Sequence, residues 1–254
     1  MNVTIIGSGN MGRGIGTRAE AGGHSVTFID ANLEAAEKTA ADVYASAKNG
    51  AKVSATSLRD AELGEVVVLA VWYGTNLELA KNLGPKLAGK VVVDIANPLN
   101  ATFDGLVTAP DSSSAEELAK AVAPGTKVVK AFNTTFAGTL LSGQVAGHPL
   151  DVFIAGDDAD AKARVAQIVT DGGMRPVDVG PLQRARQIEG IQLRELALAC
   201  QPDANNQEDV HRHRADDLRK LDPRFGTPPL QQQRRARERV ADRGLGVERD
   251  QSLR

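Results

Sequence analysis

A glycine-rich turn near the amino terminus constrains the fold of this chain more than any other feature. Residues 7–12 read Gly-Ser-Gly-Asn-Met-Gly; they directly follow the apolar run 3–6, and residues 11–21 have the pattern of a helix. A strand that turns through G-x-G-x-x-G into a helix presents free backbone N–H groups at the positive end of the helix dipole, where a diphosphate can bind. The sequence therefore predicts a dinucleotide-binding turn that consists of Gly7, Ser8, Gly9, Asn10, Met11 and Gly12.

An aspartate follows the second predicted strand, residues 26–29. Asp30 stands 18 residues after the last glycine of the turn, where folds of this kind place a carboxylate on the ribose hydroxyls of the cofactor. A carboxylate there repels a 2′-phosphate, and the next three residues carry no positive charge that would offset it. We therefore expect NAD in preference to NADP, with the alternative that Arg13, Arg18 or Lys38 reaches the phosphate from elsewhere.

Short apolar runs alternate with helical patterns along the first 200 residues. The runs are nearly continuous, which is typical of strands buried on both faces, and they cover residues 3–6, 26–29, 66–71, 91–95, 128–132 and 152–155. Helices are predicted over residues 11–21, 33–48, 77–83, 118–122, 159–170 and 184–200, with Asn32 as a cap of the second and a capping box over 114–117 before the fourth. A further strand, 176–179, opens with proline and is expected at an edge of the sheet. This order predicts an α/β fold with a doubly wound parallel sheet, the Rossmann fold.

The composition changes near residue 200. Residues 201–254 hold 12 basic and 10 acidic residues, whereas the first 200 residues hold 18 and 22. The tail contains no isoleucine, tyrosine or tryptophan, so it lacks the apolar stripe that would offset the entropy of ordering it. We expect a dinucleotide-binding domain over 1–182, a C-terminal helix over 183–200 and a polar tail over 201–254. The tail has three interpretations: a disordered native extension, an arm that binds nucleic acid or another partner, and the product of a shifted reading frame in a GC-rich gene.

Charge and hydropathy argue against several classes of partner. The net charge of the 254-residue chain is −2, and the excess of two positive charges in the tail attracts nucleic acid only weakly, so no nucleic-acid partner is expected. The longest apolar run, 66–71, is far shorter than the roughly 18 residues that cross a bilayer, and no export leader is evident, so we expect a cytoplasmic protein without a membrane partner. A single cysteine and the lack of metal-binding motifs predict no metal.

Loops that follow the predicted strands should form the rest of the site, because ligands of open α/β sheets bind beyond the carboxyl ends of the strands. Trp72 could stack on a flat ring, while Asn97 and Asn133 could hydrogen-bond a carboxamide or a ribose. The alternative is that Asn97 and Pro98 form only a turn and that Trp72 is an anchor in the core. The cofactor contacts predicted in these loops are Ala70, Val71, Trp72, Ala96, Asn97, Pro98 and Asn133.

Six segments, in this order, resemble the coenzyme F420-dependent NADP oxidoreductases and their bacterial relatives. They are residues 7–12, 71–72, 93–99 (Val-Asp-Ile-Ala-Asn-Pro-Leu), 129–134 (Val-Lys-Ala-Phe-Asn-Thr), 155–158 and 175–182, and the similarity covers about residues 1–195. The resemblance implies an NAD(P)-dependent oxidoreductase, in which hydride passes between nicotinamide C4 and C5 of a deazaflavin. It also implies a homodimer. A flavin or another small-molecule redox partner is the alternative acceptor. Members that use NADP have Ser-Arg where this chain has Asp30 and Ala31.

Hydride transfer between two bound rings requires no side-chain nucleophile. The protein has to hold the rings together and exclude water, so we predict cofactor-binding residues and no catalytic residue. The expected cofactors are NAD(P) and either coenzyme F420 or a flavin. If the tail replaces part of the acceptor pocket, the alternative function is a non-catalytic NAD(P)-binding or sensing module.

Overall fold

The computed structural model describes residues 1–47 and 50–199. Within these ranges the chain forms ten strands, which are β1 Asn2–Ile6, β2 Ser25–Ile29, β3 Val53–Thr56, β4 Val66–Leu69, β5 Val91–Asp94, β6 Lys127–Lys130, β7 Gln144–Val145, β8 His148–Pro149, β9 Asp151–Gly156 and β10 Arg175–Gly180. The seven α-helices of the same ranges are α1 Asn10–Ala21, α2 Leu33–Ala45, α3 Tyr73–Leu83, α4 Ser114–Ala121, α5 Ala137–Ser142, α6 Ala159–Asp171 and α7 Ala185–Ala199. The predicted polar tail, 201–254, lies outside the described residues.

Eight strands form one sheet in the order β10-β9-β6-β5-β4-β1-β2-β3, and β7 pairs with β8 in a separate hairpin. The six strands from β3 to β6 run parallel to one another in the order of a doubly wound nucleotide-binding fold. The predicted fold class is therefore confirmed. Between β1 and β4 the chain changes the direction in which it adds strands, and ligands of such sheets bind at the carboxyl edge of that switch point.

The sheet departs from the predicted all-parallel arrangement at one pair. β9 pairs antiparallel with β6, and β10 then pairs parallel with β9 at the predicted edge. A parallel pair needs a crossover that returns the chain to the opposite end of the sheet. The chain between β6 and β9 contains only the six-residue α5 and the short hairpin, so β9 enters from the carboxyl end of β6.

Side chains of the central strands alternate between two apolar clusters on opposite faces of the sheet. In β4, Val66 and Val68 pack in the cluster that includes residues of α1, α2 and α6. Val67 and Leu69 pack in the other cluster, with residues of α3 and α4. All four side chains are buried, which explains why the strand reads as a continuous apolar run. Helices on both faces are the physical reason for such runs.

The starts of three helices show where the predicted caps hold and where they fail. The Asn32 side chain caps α2 by accepting from the amides of Glu34 and Ala35, as expected. α3 begins at Tyr73, four residues before the predicted start. α4 is capped by Ser113, which accepts from the Glu116 amide, instead of by Ser114. The Ser114 hydroxyl instead donates to the buried Asp94.

The predicted boundary at residue 182 falls where a short 3-10 turn, Leu182–Arg184, joins β10 to α7. The division of the chain into domains stays a prediction. Among the described residues, no helix has both the length and the apolar character that a membrane crossing requires.

Candidate dinucleotide cleft

Each glycine of the turn after β1 meets a different steric requirement. Gly7 has a φ of 106°, and a Cβ there would lie 2.3 Å from the Ala70 carbonyl oxygen. A Cβ at Gly12 would lie 2.0 Å from the Gly7 carbonyl oxygen, so α1 can pack this close only without a side chain. A Cβ at Gly9 would meet no atom within 4 Å. The protein itself therefore requires Gly7 and Gly12, whereas the open space at Gly9 is available to a ligand.

The start of α1 faces this open space without a partner from the protein. No side chain caps the helix at Gly9, and its first turn contains no acidic residue. Gly9, Asn10 and Met11 all line the cleft described below. Uncapped N–H groups and the positive end of the helix dipole favour a negatively charged ligand. The residues present thus fit a diphosphate group.

Asp30 lies beside the turn and is held by it. Its Oδ2 accepts hydrogen bonds from the backbone amide and the hydroxyl of Ser8, at 2.8 and 2.7 Å. Its Oδ1 accepts from the Asn32 amide at 3.1 Å. Burial favours the neutral acid, but these hydrogen bonds outweigh it and hold the pKa of Asp30 below its ordinary value. Asp30 is therefore a fixed carboxylate at the end of β2.

A cleft of about 420 Å³ extends from the start of α1 across the carboxyl ends of β4, β5 and β6. Nine of the predicted contact residues line it, namely Gly9, Asn10, Met11, Ala70, Val71, Trp72, Ala96, Asn97 and Asn133. Gly7, Ser8 and Gly12 lie in the turn behind it, Asp30 contacts Ser8, and Pro98 is buried between two lining residues. Seven further residues line it that are not among the predicted contacts, namely Ile95, Leu99, Phe103, Thr135, Phe136, Ala137 and Gln192.

Aromatic side chains form the outer part of the cleft. The Trp72 side chain is 72% exposed and Phe103 is 53% exposed, and both line the cleft. Trp72 is therefore not an anchor in the core, which removes that part of the alternative left by the sequence. Phe103 reaches its place with a φ of 58°, in a loop that gives no sequence signal of its own. Exposed aromatic faces at a cleft suit a flat heterocyclic ring.

The two predicted asparagines bind each other. Asn97 Nδ2 donates to the Asn133 carbonyl at 2.9 Å, and Asn133 Nδ2 donates to Asn97 Oδ1 at 3.0 Å. Asn133 Nδ2 also donates to the carbonyl of Ile188 in α7, at 3.1 Å. These bonds fix the loops after β5 and β6 against α7, whereas the sequence predicted bonds to a ligand.

Beneath these loops lies a buried ionic cluster, which we define as Asp94, Lys130 and Glu189. All three side chains have an exposed fraction of 0%. Lys130 Nζ lies 2.9 Å from Asp94 Oδ2 and 2.7 Å from Glu189 Oε1. Burial opposes the charge on Lys130, but the two carboxylates outweigh burial and raise its pKa. Asp94 and Lys130 stand in segments that resemble the oxidoreductase family, but nothing in the sequence indicated that Glu189 joins them.

Comparison with known proteins places the chain in a family. Residues 2–98 match the family model described as NADP oxidoreductase, coenzyme F420-dependent. The F420-dependent NADP reductase of Methanocaldococcus jannaschii is 31% identical over 75% of this chain and 89% of its own length. A solved structure from Arthrobacter sp. FB24, proposed to be an F420-dependent NADP-reductase, superposes with a TM-score of 0.65 at 28% identity and covers 78% of this chain and 92% of its own.

A relative with a different name is also similar to this chain. The rat metalloreductase STEAP3 is 32% identical over 76% of this chain, but the chain spans only 37% of that protein's length. The match to the methanogen reductase, in contrast, extends over nearly the whole relative. The chain therefore belongs to the family of coenzyme F420-dependent NADP oxidoreductases and is an NAD(P)-dependent oxidoreductase.

Proposed function

We propose that this protein transfers hydride between a nicotinamide dinucleotide and a flat redox acceptor of the deazaflavin (F420) or flavin type. The observation that carries the proposal is one continuous cleft. It has uncapped N–H groups at the start of α1, whose first turn contains no acidic residue, and exposed aromatic rings at the β4 and β5 loops. The names of the related F420-dependent NADP reductases support the acceptor class.

In this proposal the bound cofactors supply the redox chemistry, a hydride passing between carbon atoms of two rings, and the protein supplies position. Gly9, Asn10 and Met11 hold the diphosphate, Asp30 holds the adenosine ribose, and Val71, Ala96 and Asn97 form the wall for the nicotinamide end. Trp72 and Phe103 cover the ring and exclude water from it. Holding two rings in reacting geometry lowers the entropic part of the barrier without any side-chain nucleophile.

We propose further that the protein prefers NAD(H) to NADP(H). The hydrogen bonds from Ser8 keep Asp30 charged, and a 2′-phosphate next to it would be repelled. Arg13, one of the candidate cations, lies 3.7 Å from the Asp42 carboxylate. Its charge is thus already partly offset.

A spectroscopic assay tests both proposals. NADH and NADPH are each mixed with F420 or with FMN, and oxidation of the donor is followed against the acceptor's own absorbance. We expect turnover with at least one acceptor and a higher kcat/KM for NADH. Binding of a dinucleotide without reduction of either acceptor would favour the non-catalytic module.

The homodimer follows from the resemblance, and the cytoplasmic location follows from the sequence alone; both stay predictions. Size-exclusion chromatography with light scattering tests the first: a mass of about twice 26.8 kDa is expected.

A further inference from the structure

We infer that Lys130 is a positioning residue, which fixes the wall of the dinucleotide cleft. It does so by binding the backbone of Ala96 and connecting that backbone to helix α7. The inference rests on the proposed function, because it assumes that the dinucleotide occupies this cleft. It concerns the buried ionic cluster of Asp94, Lys130 and Glu189, whose members do not themselves line the cleft.

The cluster holds Ala96 from both of its backbone groups. The Lys130 ammonium donates to the Ala96 carbonyl, and Asp94 Oδ1 accepts from the Ala96 amide at 2.9 Å. Ala96 lies just beyond the end of β5 and lines the cleft. Its position is thus fixed by two charged side chains from neighbouring strands.

The same ammonium connects the sheet to α7. It donates hydrogen bonds to the Ala96 carbonyl and to Asp94, and it forms an ion pair with Glu189 Oε1. Glu189 Oε2 accepts from the Ser114 amide at the start of α4, at 3.1 Å. One turn of α7 beyond the cluster, Gln192 lines the cleft. Lys130 therefore joins two elements of the cleft wall through a single charge.

Such a cluster is a costly way to stabilise a fold. Removing three charges from water carries a desolvation penalty for each ion, and an apolar replacement of similar volume is often as stable or more stable. The carboxylates accept further bonds, since Asp94 also accepts from Asn76 and Ser114 at 2.7 and 2.8 Å. The stability of the fold does not by itself account for this cluster, whereas a role in fixing the geometry of the cleft does.

Trp72 gives a readout of the cleft that does not depend on turnover. It is the single tryptophan of the chain and lies in the cleft wall, so NADH bound there should quench its fluorescence. The dissociation constant for NADH can then be compared with the melting temperature in each variant. A residue that only stabilises the fold would change the melting temperature and leave the dissociation constant alone.

The decisive variants are Lys130→Met and the double variant Lys130→Met with Glu189→Gln. The single variant leaves two buried carboxylates without their cation. The double variant restores the net cluster charge of −1 but does not restore the bond to Ala96. We expect Lys130→Met to raise the dissociation constant for NADH by about tenfold and to lower the melting temperature. In the double variant the melting temperature should recover in part, while the dissociation constant stays raised.

Lys90→Met is the matched control. Lys90 Nζ also donates to two backbone carbonyls, those of Leu63 and Gly64, at 2.7 and 3.1 Å, but it lies before β5 and does not line the cleft. Its loss should lower the melting temperature and leave NADH binding unchanged. If Lys130→Met does not fold, the double variant is compared directly with the unaltered protein.

Three results would overturn the inference. They are an unchanged dissociation constant in Lys130→Met, a return to the original value in the double variant, and an equal rise in Lys90→Met. A lack of saturable quenching in the unaltered protein would refute the proposed function, and the inference with it. Saturable binding by the unaltered protein, with no change in the Lys130 variants, would refute the inference alone.

Discussion

Replacing Gly9 with alanine should separate binding from folding. The residue has a φ of −68° and a ψ of −172°, which alanine adopts without strain, and the new Cβ would meet no atom of the protein within 4 Å. Alanine is somewhat poorer than glycine as a helix cap but loses less entropy on folding, so we expect the free energy of unfolding to change by less than about 1 kcal/mol. The methyl group would occupy the space proposed for the diphosphate. We therefore expect the dissociation constant for NADH to rise by at least about tenfold, or about 1.4 kcal/mol.

Gly12→Ala, in contrast, should destabilise the fold. Its Cβ would lie 2.0 Å from the Gly7 carbonyl oxygen, so α1 or the turn must move by more than 1 Å to relieve the clash. Overpacking of this kind costs about 1–3 kcal/mol, and the melting temperature should fall by several degrees. Gly138→Ala is the neutral control, because Gly138 is exposed and its Cβ would also meet no atom within 4 Å.

Calorimetric titration measures the dissociation constant for NADH in each variant, and thermal unfolding measures its stability. Normal NADH affinity in Gly9→Ala would refute the assignment of the diphosphate to this turn.

Further predictions concern Asp30, Trp72 and Ser113. Asp30→Ser should lower the ratio of kcat/KM for NADH over NADPH by about tenfold, since it removes the charge that repels a 2′-phosphate; an unchanged ratio would contradict the proposed preference. The folded state depresses the pKa of Asp30. The stabilisation that this carboxylate contributes is therefore complete above the ordinary aspartate pKa and is lost as the pH falls through the folded-state pKa. Below about pH 4, the melting temperature should therefore fall less steeply in Asp30→Asn than in the unaltered protein. Trp72→Ala should leave the melting temperature within about 2 °C because the side chain is 72% exposed, yet reduce the turnover of the acceptor, and normal turnover would exclude a ring contact. Ser113→Ala should cost about 1 kcal/mol of unfolding free energy through loss of the α4 cap, measurable by urea denaturation; no loss would show that the cap is energetically unimportant.

Local sequence patterns predicted the parts of the fold that local physics decides. The buried strands read as apolar runs because helices cover both faces of the sheet, and the turn after β1 could be placed from its glycines. β3 was missed because Val53–Thr56 is half-buried and contains serine and threonine, so it lacks the continuous apolar run of a central strand. The cap of α4 was misplaced by one residue because Ser113 and Ser114 each have a glutamate three residues later, and only packing decides which hydroxyl turns towards Asp94.

Only part of the candidate site, the residues that follow the strands, could be predicted from the sequence. Residues next to strand ends, such as Trp72 and Asn97, were found because the carboxyl edge of a doubly wound sheet defines where they lie. Phe103 and Gln192 were missed because a loop and a distant helix bring them to the cleft. The partners of Lys130 lie 36 and 59 positions away along the chain, and nothing in local periodicity relates residues so far apart.

The central claim is that a dinucleotide binds with its diphosphate at the start of α1. A crystal structure of the protein with NADH tests it most directly. We expect the diphosphate oxygens to accept hydrogen bonds from the backbone amides of Asn10 and Met11, and the nicotinamide to lie near Trp72 and Ala96. Dinucleotide density at any other surface, with the start of α1 left to solvent, would contradict the account.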